Sequence, residues 1–173
     1  MKQILAATIV LAPPIIAATV VAAATLAAGV HAQVPSPKEA LVMHATGPFD
    51  VKVTPAEEKS DDPLLGRMML DKQYHGDLEG TGKGQMLTAG SPAKGAGGYV
   101  AIEKVTGTLH GRAGSFVLQH SGTMANHQPQ MTITIVPESG TGQLEGIAGT
   151  MTITVAPTGK HTYDLEYTLR SHL

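Results

Sequence analysis

Gly66–Gly90, GRMMLDKQYHGDLEGTGKGQMLTAG, and Tyr99–Met124, YVAIEKVTGTLHGRAGSFVLQHSGTM, decide the fold class. Apolar and polar residues alternate through both, the pattern of strands with one buried face. Glycine rather than proline punctuates the turns. From His44 onward no segment carries helical periodicity, and the alternation extends to about eight β-type runs, the signature of a sandwich or barrel. They are Phe49–Thr54, Arg67–Leu78, Gly84–Thr88, Tyr99–Leu109, Ser115–Met124, Gln130–Val136, Leu144–Val155 with a bend at Gly149, and His161–Leu169.

An internal echo supports this order. GTLHGRAG (Gly107–Gly114) recurs as GQLEGIAG (Gly142–Gly149), with a looser copy, GDLEG, at Gly76–Gly80. Each sets a leucine between glycines where a strand must turn or kink, since glycine permits positive φ and close backbone approach. None follows a strand into a helix, and GTGKG (Gly80–Gly84) lacks phosphate-loop spacing. All are expected to be hairpin and bulge devices.

The chain has 173 residues, 20 glycines, no cysteine or tryptophan and a formal charge of −2. One domain is the prior for this length. Only 12 Lys+Arg and few aromatics give no footprint for nucleic acid. Without cysteine there is no disulfide, thiolate nucleophile or cysteine-based zinc site. Residues 1–32 read as a signal peptide: Lys2, an Ala-rich apolar run from Ile4 to Val30, and the small-x-small pattern Val30-His31-Ala32. The rival is a retained membrane anchor, which Pro13-Pro14 interrupts. Residues 33–43 read as a linker, and residues 44–173 as the single β-barrel domain of an exported (periplasmic or secreted) protein.

The segments GRMMLDKQYHGDLEGTGKGQML, GYVAIEKVTGTLHGRAGSFVLQHSG and VPESGTGQLEGIAGTMTI resemble an uncharacterised domain-of-unknown-function family. That family is assigned to the allene oxide cyclase barrel-like fold. The resemblance covers about residues 44–169 and implies an all-β, eight-stranded antiparallel β-barrel. No local motif of the plant cyclase is present, so no catalytic residue is carried over, and fold alone does not set function.

Strand alternation nominates the residues that could carry chemistry. Met68, Leu70, Lys72, Tyr74 and Leu78 share one face of the second run, and Phe116, Leu118, His120 and Met124 one face of the fifth. In the fourth run the alternation leaves Tyr99, Ala101, Glu103 and Val105 against Val100, Ile102, Lys104 and Thr106, with either set eligible for the lumen. In the eighth, His161, Tyr163, Leu165, Tyr167 and Leu169 share a face. Polar groups in apolar rows are costly unless satisfied. Glu103 and His120 are therefore the candidate acid–base pair, and Lys72, Tyr74, Tyr99, Tyr163 and Tyr167 the candidate ligand contacts. For each, the alternative is a satisfied polar layer or a wet tyrosine hydroxyl. His75, Asp77 and Glu79 would share a strand face, but in company with Arg67, Asp71 and Gln73 they read as solvated polarity. No metal site and no cofactor are expected, and no G-x-S-x-G elbow exists.

The expected function is binding of a small apolar ligand in the lumen. The alternatives are an isomerase or cyclase using Glu103 and His120, or a structural oligomeric module without ligand. Val100 and Ile102, apolar on the face opposite Ala101 and Val105, suggest an outer surface covered by self-association into a homo-oligomer.

Overall fold

Alternation becomes nine strands in the computed structural model, which describes residues 41–57 and 60–170. The leader and most of the linker lie outside the described residues. The strands are β1 (Met43–Pro55), β2 (Leu65–Tyr74), β3 (Leu78–Ser91), β4 (Ala96–Leu109), β5 (Arg112–Ala125), β6 (Gln128–Ile135), β7 (Thr141–Gly142), β8 (Ile147–Val155) and β9 (His161–Leu169). Every pairing is antiparallel, β1 joins both β2 and β9, and β4 joins β5. Eight long strands therefore close into a barrel, with the two-residue β7 continuing the line of β6 against Gly114 and Ser115. Closure gives each long strand a neighbour on both sides.

Several runs differ from their sequence-based bounds. The second does not reach Leu78: Gly76, at φ +97°, turns the chain and Leu78 opens β3. His75, Asp77 and Glu79 thus straddle a turn and do not share a strand face. The third run is far longer than Gly84–Thr88, because Gly80, Gly82 and Gly84 lie inside β3. These three are not hairpin devices. The seventh run begins at Ile147, with Leu144 in the preceding turn, and Met43 already belongs to β1. The eighth run keeps its bounds.

The repeated glycine–leucine motif has a common structural use. Positive φ falls at the first glycine of one copy (Gly76), the last of another (Gly111) and both of the third (Gly142 and Gly146), while Leu78, Leu109 and Leu144 are all fully buried. With Phe116, Ile147, Leu165 and Tyr167 they fill one end of the lumen. At the other end the inward side chains Met68, Met86, Tyr99, Met124 and Ile153 are only half-buried. The barrel has a packed half and a half that solvent reaches.

One seam of the ring is weak. β6 and β8 are joined by the single register pair Thr134–Thr150, whereas β8 and β9 pair from Ile147–Leu169 to Val155–His161. Pro129 in β6 has no N–H to give a ladder, and proline is confined to such strand edges.

Candidate functional site

Register decides what faces the lumen of β4. Glu103 pairs with Gly84 on β3 and Leu118 on β5, which settles the ambiguous strand in favour of Tyr99, Ala101, Glu103 and Val105 inside. Lys72 and Tyr74 approach from β2, two strands away. Between them β3 offers only Gly82 and Gly84 on its inner face, so nothing stands in the gap. A Cβ on Gly82 would collide with Glu103 Oε1 and come 3.0 Å from the Tyr74 ring. The glycine-rich run is the socket of a buried carboxylate.

Glu103 is 0 % exposed, Tyr74 0 %, His120 3 % and Lys72 6 %. Lys72 Nζ donates to Glu103 Oε2 at 2.7 Å, and Tyr74 OH donates to Glu103 Oε1 at 2.8 Å. Lys72 Nζ also lies 3.3 Å from Tyr74 OH and 5.0 Å from the centre of the Phe49 ring. That distance is within cation–π range. His120 Nε2 is 3.1 Å from Glu103 Oε2.

Burial alone would raise the Glu103 carboxyl, but His120, Lys72 and Tyr74 together hold it below its ordinary value. Glu103 is therefore ionised near neutral pH. Burial first, then the neighbouring carboxylate, pushes the Tyr74 phenol far above the usual range, which keeps it a donor. The Glu103 shift sets a sign: the folded chain binds that proton less tightly than the unfolded one. Its stabilisation is complete above about 4.5 and is lost as pH falls through the folded value. Urea midpoints measured down through this range should fall more steeply for the wild type than for Glu103→Gln. Asp77, held low by the Thr46 N–H, contributes equally to both proteins and cancels.

The remaining candidates divide. Tyr163 stacks edge-on against Tyr74 at 5.5 Å, but its hydroxyl donates to His75 O and accepts from Leu78 N–H. Burial pushes it up to about 12 despite the Leu78 bond. It braces the β2–β3 turn. Tyr167 OH meets His110 Nδ1 at 2.8 Å in the packed end, away from Glu103. Tyr99 leans over Gly122 in the half-buried end, and burial raises its phenol. No group of three metal-ligating side chains occurs among the described residues.

A continuous inward row lies above the ion pair: Met68, Met86, Ala101, His120 and Ile133, each paired with the next across five strands. Sequence reasoning missed Phe49, Gly82 and this row. A lone Phe at the head of a run gives no hint that β1 will place it under Lys72.

The outer wall carries a second feature. Arg67, Lys83, Lys104, Leu87, Val100 and Ile102 border an open groove of about 710 Å³ on β2–β5. Val100 and Ile102 are thus exposed in the single chain.

A family model described as "Protein of unknown function (DUF3224)" matches residues 45–167. A crystal structure of a DUF3224-family protein of unknown function from Shewanella oneidensis MR-1 is 44% identical. It covers 76% of this chain and 100% of its own, with a TM-score of 0.71. No curated protein matches. The eight-stranded barrel stands on its own topology, and nothing in these matches extends it to the plant cyclase.

Proposed function

We infer a function for this chain, which belongs to the DUF3224 family of proteins of unknown function, from its lumen: it binds a small, largely apolar ligand above Glu103. The observation that carries this reading is the buried Lys72–Tyr74–Glu103–His120 cluster at the boundary between the packed and half-buried halves. A few convergent polar groups in an apolar concavity are the usual make-up of a small-molecule site. Met68, Met86 and Met124 supply adaptable apolar contact, because unbranched thioethers fit irregular shapes. His120, in the methionine row with its Nε2 3.1 Å from Glu103 Oε2, is the polar group placed to meet a ligand.

The catalytic alternative asks Glu103 to accept a proton. A carboxylate held below its ordinary range by three neighbours is a weak base at neutral pH. A purely structural barrel gains little from a buried ion pair, since apolar residues of similar volume serve as well. Export is proposed on the pattern of residues 1–32.

Titration with the fluorescent apolar probe N-phenyl-1-naphthylamine tests the reading. Saturable binding of about one probe per chain is expected, and Met86→Trp, which fills the half-buried end, should weaken it at least tenfold. A wild type that shows no saturable binding, and yields no small molecule on solvent extraction from its host, would overturn it.

A further inference from the structure

The weak seam has a chemical consequence beyond an incomplete ladder. Continuing the Thr134–Thr150 register would set Met131 opposite Ile153 and Pro129 opposite Val155. All four have the parity of the lumen-facing Ile133 and Met151. Ile133 and Met151 are buried, yet Met131 is 42% exposed and Val155 57%. Two inward-facing apolar side chains therefore stand open to solvent, one on each side of the unpaired stretch. The inner end of this unpaired stretch lies beside His120, the cross-strand partner of Ile133. Gly122, partner of Met131, adds no side chain to narrow it.

Resting on the lumen-binding reading, we propose that the site extends sideways through the β6–β8 seam and takes an elongated, unbranched apolar chain with one polar end. The polar end sits at His120. The chain runs past Ile133 and Ile153, and its far end leaves between Met131 and Val155. A gap bounded by two strand edges suits a single extended chain. Because the slot opens to solvent, it sets no upper limit on chain length.

Two measurements test this on the intact chain. In the first, straight-chain alcohols of increasing length compete with N-phenyl-1-naphthylamine. Affinity should rise about fourfold per buried methylene, then level off once further carbons emerge into water. A sharp loss of affinity beyond one length would mean a closed lumen and overturn the proposal. In the second, Thr132→Cys with Thr152→Cys places a bridge at the next register position, in a chain that has no other cysteine. The oxidised form should bind cis-parinaric acid, a straight-chain fluorescent probe with one polar end, at least tenfold more slowly, with the rate restored by reductant. Thr134→Cys with Thr150→Cys, across the pair already joined, should change the rate less than about twofold. Unchanged kinetics in the locked Thr132/Thr152 variant would rule out the seam while leaving the lumen site standing. Loss of probe binding in the wild type would instead remove the lumen site itself.

Discussion

Glu103→Ala is expected to cost about 3–5 kcal/mol, because it strands the Lys72 ammonium in a site only 6 % exposed. The ammonium keeps a 3.3 Å contact with Tyr74 OH and the face of Phe49, neither of which replaces an opposite charge. Tyr74 loses its 2.8 Å acceptor at the same time. Lys72→Met should cost a comparable amount for the mirror reason, leaving the carboxylate with only Tyr74 and His120. The double variant Lys72→Met/Glu103→Leu removes both charges and should lie well above either single in stability. Urea unfolding of the four proteins forms the cycle. Additive losses in the double variant would show that the two groups are not coupled, against the 2.7 Å contact.

Gly82→Ala should destabilise by about 1–3 kcal/mol through overpacking. Its backbone is ordinary strand, so the loss comes from contact and not from φ. The new methyl would occupy the position of Glu103 Oε1 and press on the Tyr74 ring. The carboxylate cannot swing aside without losing Lys72 or Tyr74. Shortening the acid in Gly82→Ala/Glu103→Asp should recover part of the loss, although Glu103→Asp alone is destabilising. Gly159→Ala, where no atom lies within 4 Å but φ is +84°, gives the contrast: a backbone penalty with no link to Glu103.

These two residues also mark how far the sequence could be read. Alternation was enough to place Lys72, Tyr74 and His120 on inner faces, because Met68–Tyr74 and Phe116–Met124 each have one plainly apolar row. It could not orient β4, where Val100 and Ile102 are as apolar as Ala101 and Val105. Only the register with Gly84 and Leu118 fixes Glu103 inside. The glycines of GTGKG misled in the opposite direction. Glycine is depleted from strands, so the run looked like a turn, and its use became visible only once β2 and β4 were placed on either side. The glycine–leucine echo was legible as punctuation, but its shared burial in one barrel end was not. Phe49 and the β6–β8 seam depend on pairings between strands far apart in the chain, which no local pattern records.

The lumen and the outer groove at Leu87, Val100 and Ile102 are rival places for an apolar molecule, and nuclear magnetic resonance separates them. Imidazole nitrogen and backbone amide spectra would be followed while N-phenyl-1-naphthylamine is titrated into the wild type. The His120 ring signals should shift to saturation at one probe per chain, with His44 and His110 unmoved. Shifts confined to the amides of Leu87, Val100 and Ile102, with His120 silent, would place binding on the outer wall and contradict a ligand site above Glu103.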